Sequence, residues 1–206
     1  MTTRKIAVIT AGVSTPSSTR MLADRLAAAV GEALRSAGVP AQVEIVELRE
    51  HARALADAIV TGFPAGELRD AIRTVTGADA VVAVTPVFAA SYSGLFKTFV
   101  DVLEPDALAG KPVLLAATAG TARHSLVIEH AMRPLFSYLR AVTVPTGVFA
   151  APEDWAGGDA APLSTRIDRA ARELADLMTS RAPAPVADPF DDPTPFENLL
   201  AERLVS

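Results

Sequence analysis

The chain has 206 residues, half of them apolar, and a net charge of −5. That length fits one domain with a sizeable core, and the negative charge argues against nucleic-acid or polybasic membrane roles. There is no cysteine, so disulfides, thiolate catalysis and cysteine-bound metal are excluded. No run of about 18 apolar residues is present to span a membrane. The stretch Ile6–Ile9 behind the N-terminus is too short for a signal-peptide core, and the expected location is the cytoplasm.

Lys5–Thr10 reads as a first buried strand. A loop rich in small hydroxyl residues, Ala11–Thr19, follows. Leu22, Leu26, Val30, Ala33 and Leu34 then recur at helical spacing, and Gly38-Val39-Pro40 stops that helix. Gln42–Leu48 is a second strand, less purely apolar and so nearer an edge. Two short helical patterns, Ala54–Ile59 and Glu67–Val75, are broken at Thr61–Pro64. Val81–Val84 has no polar alternation, as a strand buried on both faces requires. It is expected to stop at Thr85-Pro86, because proline has no N–H for a ladder. A helix from Gly94 to Leu103, a strand Val113–Thr118, a helix Ser125–Arg140 and a fifth strand Val142–Phe149 complete the pattern. Pro152–Pro162 is a loop around the only tryptophan, Trp155, and a last helix runs from Ser164 to Ser180.

Strands alternating with helices imply a parallel sheet with right-handed crossovers. Five strands fit an α/β, doubly wound, flavodoxin-like sheet of order 2-1-3-4-5. Residues 1–180 then form the domain. Residues 181–206, with five of the fifteen prolines, form a C-terminal arm. Ligands bind outside the carboxyl ends of parallel strands, where three loops converge.

The first loop offers five hydroxyls, Ser14, Thr15, Ser17, Ser18 and Thr19, before a helix N-terminus. Free N–H groups and the helix dipole favour an anion there, and N-capping by Ser17 or Ser18 is the alternative use. No Lys or Arg lies between Gly12 and Thr19. The P-loop ending and G-x-G-x-x-G are both absent, which disfavours nucleoside triphosphates and Rossmann dinucleotides. Thr85, Pro86, Val87 and Phe88 offer a flat wall. Thr118, Ala119 and Gly120 are small enough to let backbone approach a ligand. A ligand with a phosphate end and a flat, polar-edged ring suits this set, and FMN is the obvious candidate. No H-E-x-x-H motif or G-x-S-x-G elbow is present.

On Ala11–Arg20, Thr85–Lys97, Leu115–His124 and Pro145–Ala150 the chain resembles the NAD(P)H-dependent FMN reductases of the flavodoxin-like superfamily. It is most similar to those serving luciferase-like or alkanesulfonate-type two-component monooxygenases. The resemblance implies that FMN and NADPH or NADH are bound and that a flavin-dependent monooxygenase receives the reduced FMN. It also implies a homodimer or homotetramer, as do Phe96, Phe99 and Leu103, more apolar surface than one short helix usually buries. By position, Ser14, Ser17, Ser18 and Thr19 would hold the phosphate, Thr85 to Phe88 would line the ring and ribityl chain, and Thr118, Ala119 and Gly120 would face the pyrimidine edge. The hydride would pass from nicotinamide to flavin N5 with no side-chain acid or base. Many relatives carry Gly-Gly where Ala119-Gly120 stands; if residue 119 needed a positive φ, alanine would cost about 1 kcal/mol or more. An FMN-containing quinone, azo or metal-oxyanion reductase and a non-catalytic flavodoxin-like carrier are the alternatives.

Overall fold

The structure, a computed structural model, describes residues 3–156 and 161–181. The C-terminal arm and part of the Trp155 loop therefore lie outside the described residues. A parallel sheet is formed by β1 (Arg4–Thr10), β2 (Ala41–Glu47), β3 (Ala80–Phe88), β5 (Pro112–Thr118), β6 (Val142–Thr143) and β7 (Val148–Ala150). Its order is β2-β1-β3-β5-β6, with β7 continuing beside β5 and the short β4 (Ser91–Tyr92) added to β3. This is the flavodoxin-like order, the last strand being split. Pro145–Gly147 interrupts that strand. A Cβ on Gly147 would stand 2.6 Å from Ile128 Cγ2, so only glycine fits at this approach.

Strand parity sorts the core into two layers. Ile6, Val8, Val82 and Leu114 face α1 (Ser18–Ser36) and α7 (Ala161–Thr179). Ala7, Ile9, Val81 and Leu115 face the opposite layer. That layer holds α2 (Ala52–Thr61), α3 (Gly66–Thr76), α4 (Gly94–Asp101) and α5 (Arg133–Tyr138). Phe96, Phe99 and Leu103 are buried inside this second layer. They are not surface for a partner, and the packing of α4 on α2 and the sheet explains why.

Three further differences have local causes. β3 does not stop at Pro86 but runs on to Phe88. The Val84 carbonyl accepts from Ala11 N–H on the β1 side, and Pro86 shares its parity. The missing donor of Pro86 therefore faces the side where pairing with β1 has ended, at Thr10 and Val84. The expected helix Ser125–Arg140 is replaced by a π-helical turn, Ile128–Met132, followed by α5. Pro134 has no N–H for the His130 carbonyl, so a regular helix cannot pass through. Finally, Val87 pairs Tyr92 and Phe88 pairs Ser91 in an antiparallel hairpin.

The hairpin's two-residue turn is Ala89-Ala90, with φ of 48° and 66°. Both angles are left-handed, as the twist of a tight hairpin demands, and alanine pays about 1–2 kcal/mol for each. Changing the pair to Asn-Gly is expected to raise stability by about 1–2 kcal/mol. Denaturant unfolding checks this; an unchanged midpoint would show that the turn is not strained. Ala119 and Gly120 have no positive φ among the described residues, so alanine at 119 is unstrained.

Candidate functional site

All three loops meet at the carboxyl edge of β1, β3 and β5. They enclose a cleft of about 470 Å³ whose lining includes Ser14, Ser18, Thr19, Pro86, Val87 and Phe88, a volume in the range of small-molecule sites. Thr118, Ala119 and Gly120 form its base, and Val13, Pro152 and Trp155 complete it.

The first loop is wound tightly onto the start of α1. Gly12 makes this possible, since a Cβ there would lie 2.1 Å from Ser17 Oγ. Ser17 is the N-cap, its hydroxyl accepting from Arg20 N–H at 3.2 Å, and it is not part of the cleft lining. The capping use expected of Ser17 or Ser18 thus falls to Ser17, and Ser18, the first helical residue, opens into the cleft. Thr19 is buried, and its hydroxyl shares a 2.7 Å hydrogen bond with that of Thr118. That bond ties the first loop to the third. Ser14 and Ser18 are exposed at the cleft, and their hydroxyls have no hydrogen-bond partner among the described residues.

Two features lie beneath the first loop. Thr10 lies at the end of β1 with a buried hydroxyl that has no partner among the described residues. By parity it faces α1, beneath the helix start. It does not line the cleft, and a buried orphan of this kind calls for an ordered water. The second feature is α1 itself, whose first N–H groups and dipole favour negative charge.

The cations nearby are already engaged. Arg20 pairs with Asp24 at 2.8 Å and also with Glu47. The Asp24 hydrogen bond, with the charges of Asp24 and Glu47, pushes Arg20 above its already high ordinary pKa. Arg49, in the turn after β2, donates to Thr15 Oγ1 at 2.6 Å and pairs with Glu47 at 2.9 Å. It braces the loop from outside the cleft.

Thr85 stands apart from the other wall residues. It is fully buried on the α4 face; its hydroxyl donates to the Pro86 carbonyl at 3.0 Å and accepts from Ser93 N–H at 3.1 Å. Its burial under the α4 layer keeps it out of the cleft lining, and its bond to Ser93 fastens the hairpin to the N-terminus of α4. Phe88 is the exposed member, with 50% of its surface open. Phe88→Ala is expected to weaken flavin binding roughly two- to tenfold, the worth of one aromatic contact, with little change in melting temperature. Unchanged flavin affinity with a large drop in melting temperature would make Phe88 a packing residue instead.

In the third loop, Ala119 N–H is committed to the Ala150 carbonyl at 3.1 Å. The expected donor set 118–120 therefore narrows, and Gly120 and Thr121 carry the N–H groups left for a ligand. Trp155, Pro152 and Val13 are additions that periodicity could not place. The one available signal was position: a lone tryptophan just beyond the carboxyl end of a sheet strand.

Fold and cleft together define a flavodoxin-like protein with a mononucleotide-sized site at its topological switch point. Residues 4–156 match the family model of the NADPH-dependent FMN reductases. The chain is 36% identical over 180 residues to the FMN reductase (NADPH) of Pseudomonas aeruginosa, covering 86% of this chain and 94% of that protein. It is 38% identical over 175 residues to the NADH-dependent FMN reductase SfnE of Pseudomonas putida, covering 84% and 91%. A solved oxidoreductase from Corynebacterium diphtheriae superposes with a TM-score of 0.85 at 49% identity, covering 87% of this chain and 99% of that one. The chain belongs to the NADPH-dependent FMN reductase family.

Proposed function

We propose that this protein is an NAD(P)H:FMN oxidoreductase that binds FMN in the cleft described above and supplies reduced FMN to a flavin-dependent monooxygenase. One observation carries the use of the cleft: among the described residues its lining contains no titratable side chain. Such a site is unsuited to general acid–base chemistry and suited to hydride transfer, where the protein positions two rings. FMN, when bound, supplies the electron-accepting ring.

Each group of residues then has a task. Ser14, Ser18 and the N–H groups at the start of α1 bind the phosphate, with Thr19 and Thr118 fixing the loop. Pro86, Val87 and Phe88 orient the ring by flat apolar contact. Gly120 N–H lies on the side assigned to the pyrimidine edge, where a fixed donor would stabilise developing negative charge. Similarity to SfnE, an NADH-dependent FMN reductase by name, supports the reduction of FMN, and the monooxygenase as recipient rests on the family resemblance.

Steady-state kinetics test the reading. FMN is expected to behave as a saturable substrate with NADPH or NADH as donor. Flavin that copurifies, with turnover independent of added FMN, would instead point to an acceptor reductase with fixed FMN.

A homodimer or homotetramer belongs to the same proposal, now supported by Val60 and Phe63, which are 85% and 80% exposed at the end of α2. Sedimentation as a monomer at micromolar concentration would contradict it. The domain is taken to end at 180, because both described core layers are built from residues upstream of that point. Deleting 182–206 should leave cooperative unfolding intact; its loss would make the arm part of the core.

Among the described residues, no helix is long and apolar enough to cross a membrane.

A further inference from the structure

The phosphate end of the cleft is flanked by side chains that the hydride-transfer reading leaves without a task. On one flank Arg49 holds Thr15 Oγ1 at 2.6 Å and the Ser14 carbonyl at 3.5 Å. On the other, Trp155 lines the same cleft as Ser14 and Ser18. Its ring lies under the Arg25 guanidinium, with Cζ 4.8 Å from the ring centroid. Ser18 and Arg25 are seven residues apart on α1, so they share one helix face about 10 Å apart along the axis. Trp155 therefore stands over the strip of α1 that leads outward from the phosphate loop.

The turn that carries this tryptophan, α6 (Pro152–Ala156), is anchored to neighbouring elements. Asp154 accepts from Ala151 N–H at 2.9 Å and from Arg166 of α7 at 2.6 Å. The same Arg166 nitrogen also donates to the Phe149 carbonyl of β7 at 3.2 Å. One face of the indole is covered by Arg25, which removes it as a platform for another ring.

We propose that Trp155, backed by Arg25, is a specificity-determining residue that restricts the site to a flavin mononucleotide and excludes FAD. The inference rests on the FMN reading of the cleft. With its phosphate on Ser14 and Ser18, FMN would end between the two flanks. FAD continues from that phosphate with a second phosphate and an adenosine. Toward β2 this extension would meet the loop braced by Arg49; along α1 it would meet the indole. Removing the indole opens the α1 side while leaving Ser14, Ser18 and Phe88 in place.

The test titrates FMN and FAD separately into full-length wild type, Trp155→Ala, Trp155→Phe and Arg25→Ala, following flavin fluorescence. Wild type should prefer FMN by about tenfold or more, the discrimination a shaped pocket provides. Trp155→Ala should improve FAD binding relative to FMN by about tenfold, the ratio being read independently of any loss common to both flavins. Trp155→Phe should keep the wild-type ratio. Arg25→Ala, an exposed change, should shift the ratio in the same direction as Trp155→Ala and carries the test if that variant does not fold. A ratio unmoved by either alanine variant, or FAD binding that weakens on losing the indole, overturns the proposal; the latter would make Trp155 an adenine platform. Equal wild-type affinity for the two flavins overturns the selectivity alone. Wild type that binds neither overturns the FMN reading beneath it.

Discussion

Replacing Ser14 and Ser18 together by alanine is expected to weaken FMN binding by about a hundred- to ten-thousand-fold while leaving riboflavin binding almost unchanged. Each serine exposes a hydroxyl at the cleft with no partner among the described residues. Each can donate to a phosphate dianion at no cost in internal hydrogen bonds. A charge-assisted bond is worth roughly 1.5–3 kcal/mol, so two amount to roughly 3–6 kcal/mol if additive. Folding should barely change, because the cap of α1 is Ser17 and the buried link is Thr19 with Thr118. Riboflavin lacks the phosphate and does not meet these hydroxyls. Fluorescence titration with both flavins checks the outcome. Equal weakening of the two would mean that the loop supports the ring site; no effect on either would place the anion elsewhere.

Phe96→Ala is expected to lower stability by about 3–5 kcal/mol, the usual range for removing a buried aromatic. Phe96 is fully buried, 6.0 Å from the ring of Tyr92 and 6.2 Å from that of Phe136. It joins β4 and α4 to α5, so little around it can close over the void. For a chain of this size the melting temperature should fall by roughly 6–20 °C. FMN binding by the folded fraction should be nearly intact, since Phe96 faces away from the cleft. A drop of only a degree or two would mean that the neighbouring rings collapse into the space.

The contrast between these two sites shows what the sequence made legible. The strand order was readable because the apolar runs at Ile6–Ile9, Val81–Val84 and Val113–Ala117 are long enough to declare buried parallel strands. The cleft was readable because it lies where those strands end. Burial decided the finer placement, and composition does not report which residues of an extended strand a neighbouring helix covers. Thr85 is one residue from Pro86 yet faces α4, whereas Pro86 faces the ligand side. Phe96 and Phe99 looked like excess surface because the layer that covers them, α2 and the π-helical turn with α5, comes from distant parts of the chain. Ser17 and Ser18 were indistinguishable as caps until the Gly12 approach chose between them. Trp155 had no periodic signal, because its neighbours at the cleft come from α1 and the first loop, far away in sequence.

Flavin-dependent oxidation of a nicotinamide nucleotide is the reaction that defines an FMN reductase. The direct measurement is the absorbance loss of NADPH, and separately of NADH, with purified protein at increasing FMN. Oxidation should be negligible without flavin, rise to saturation with FMN, and lose its FMN saturation in the Ser14→Ala, Ser18→Ala double variant. Absence of FMN-dependent oxidation with both nucleotides would contradict the FMN reductase reading.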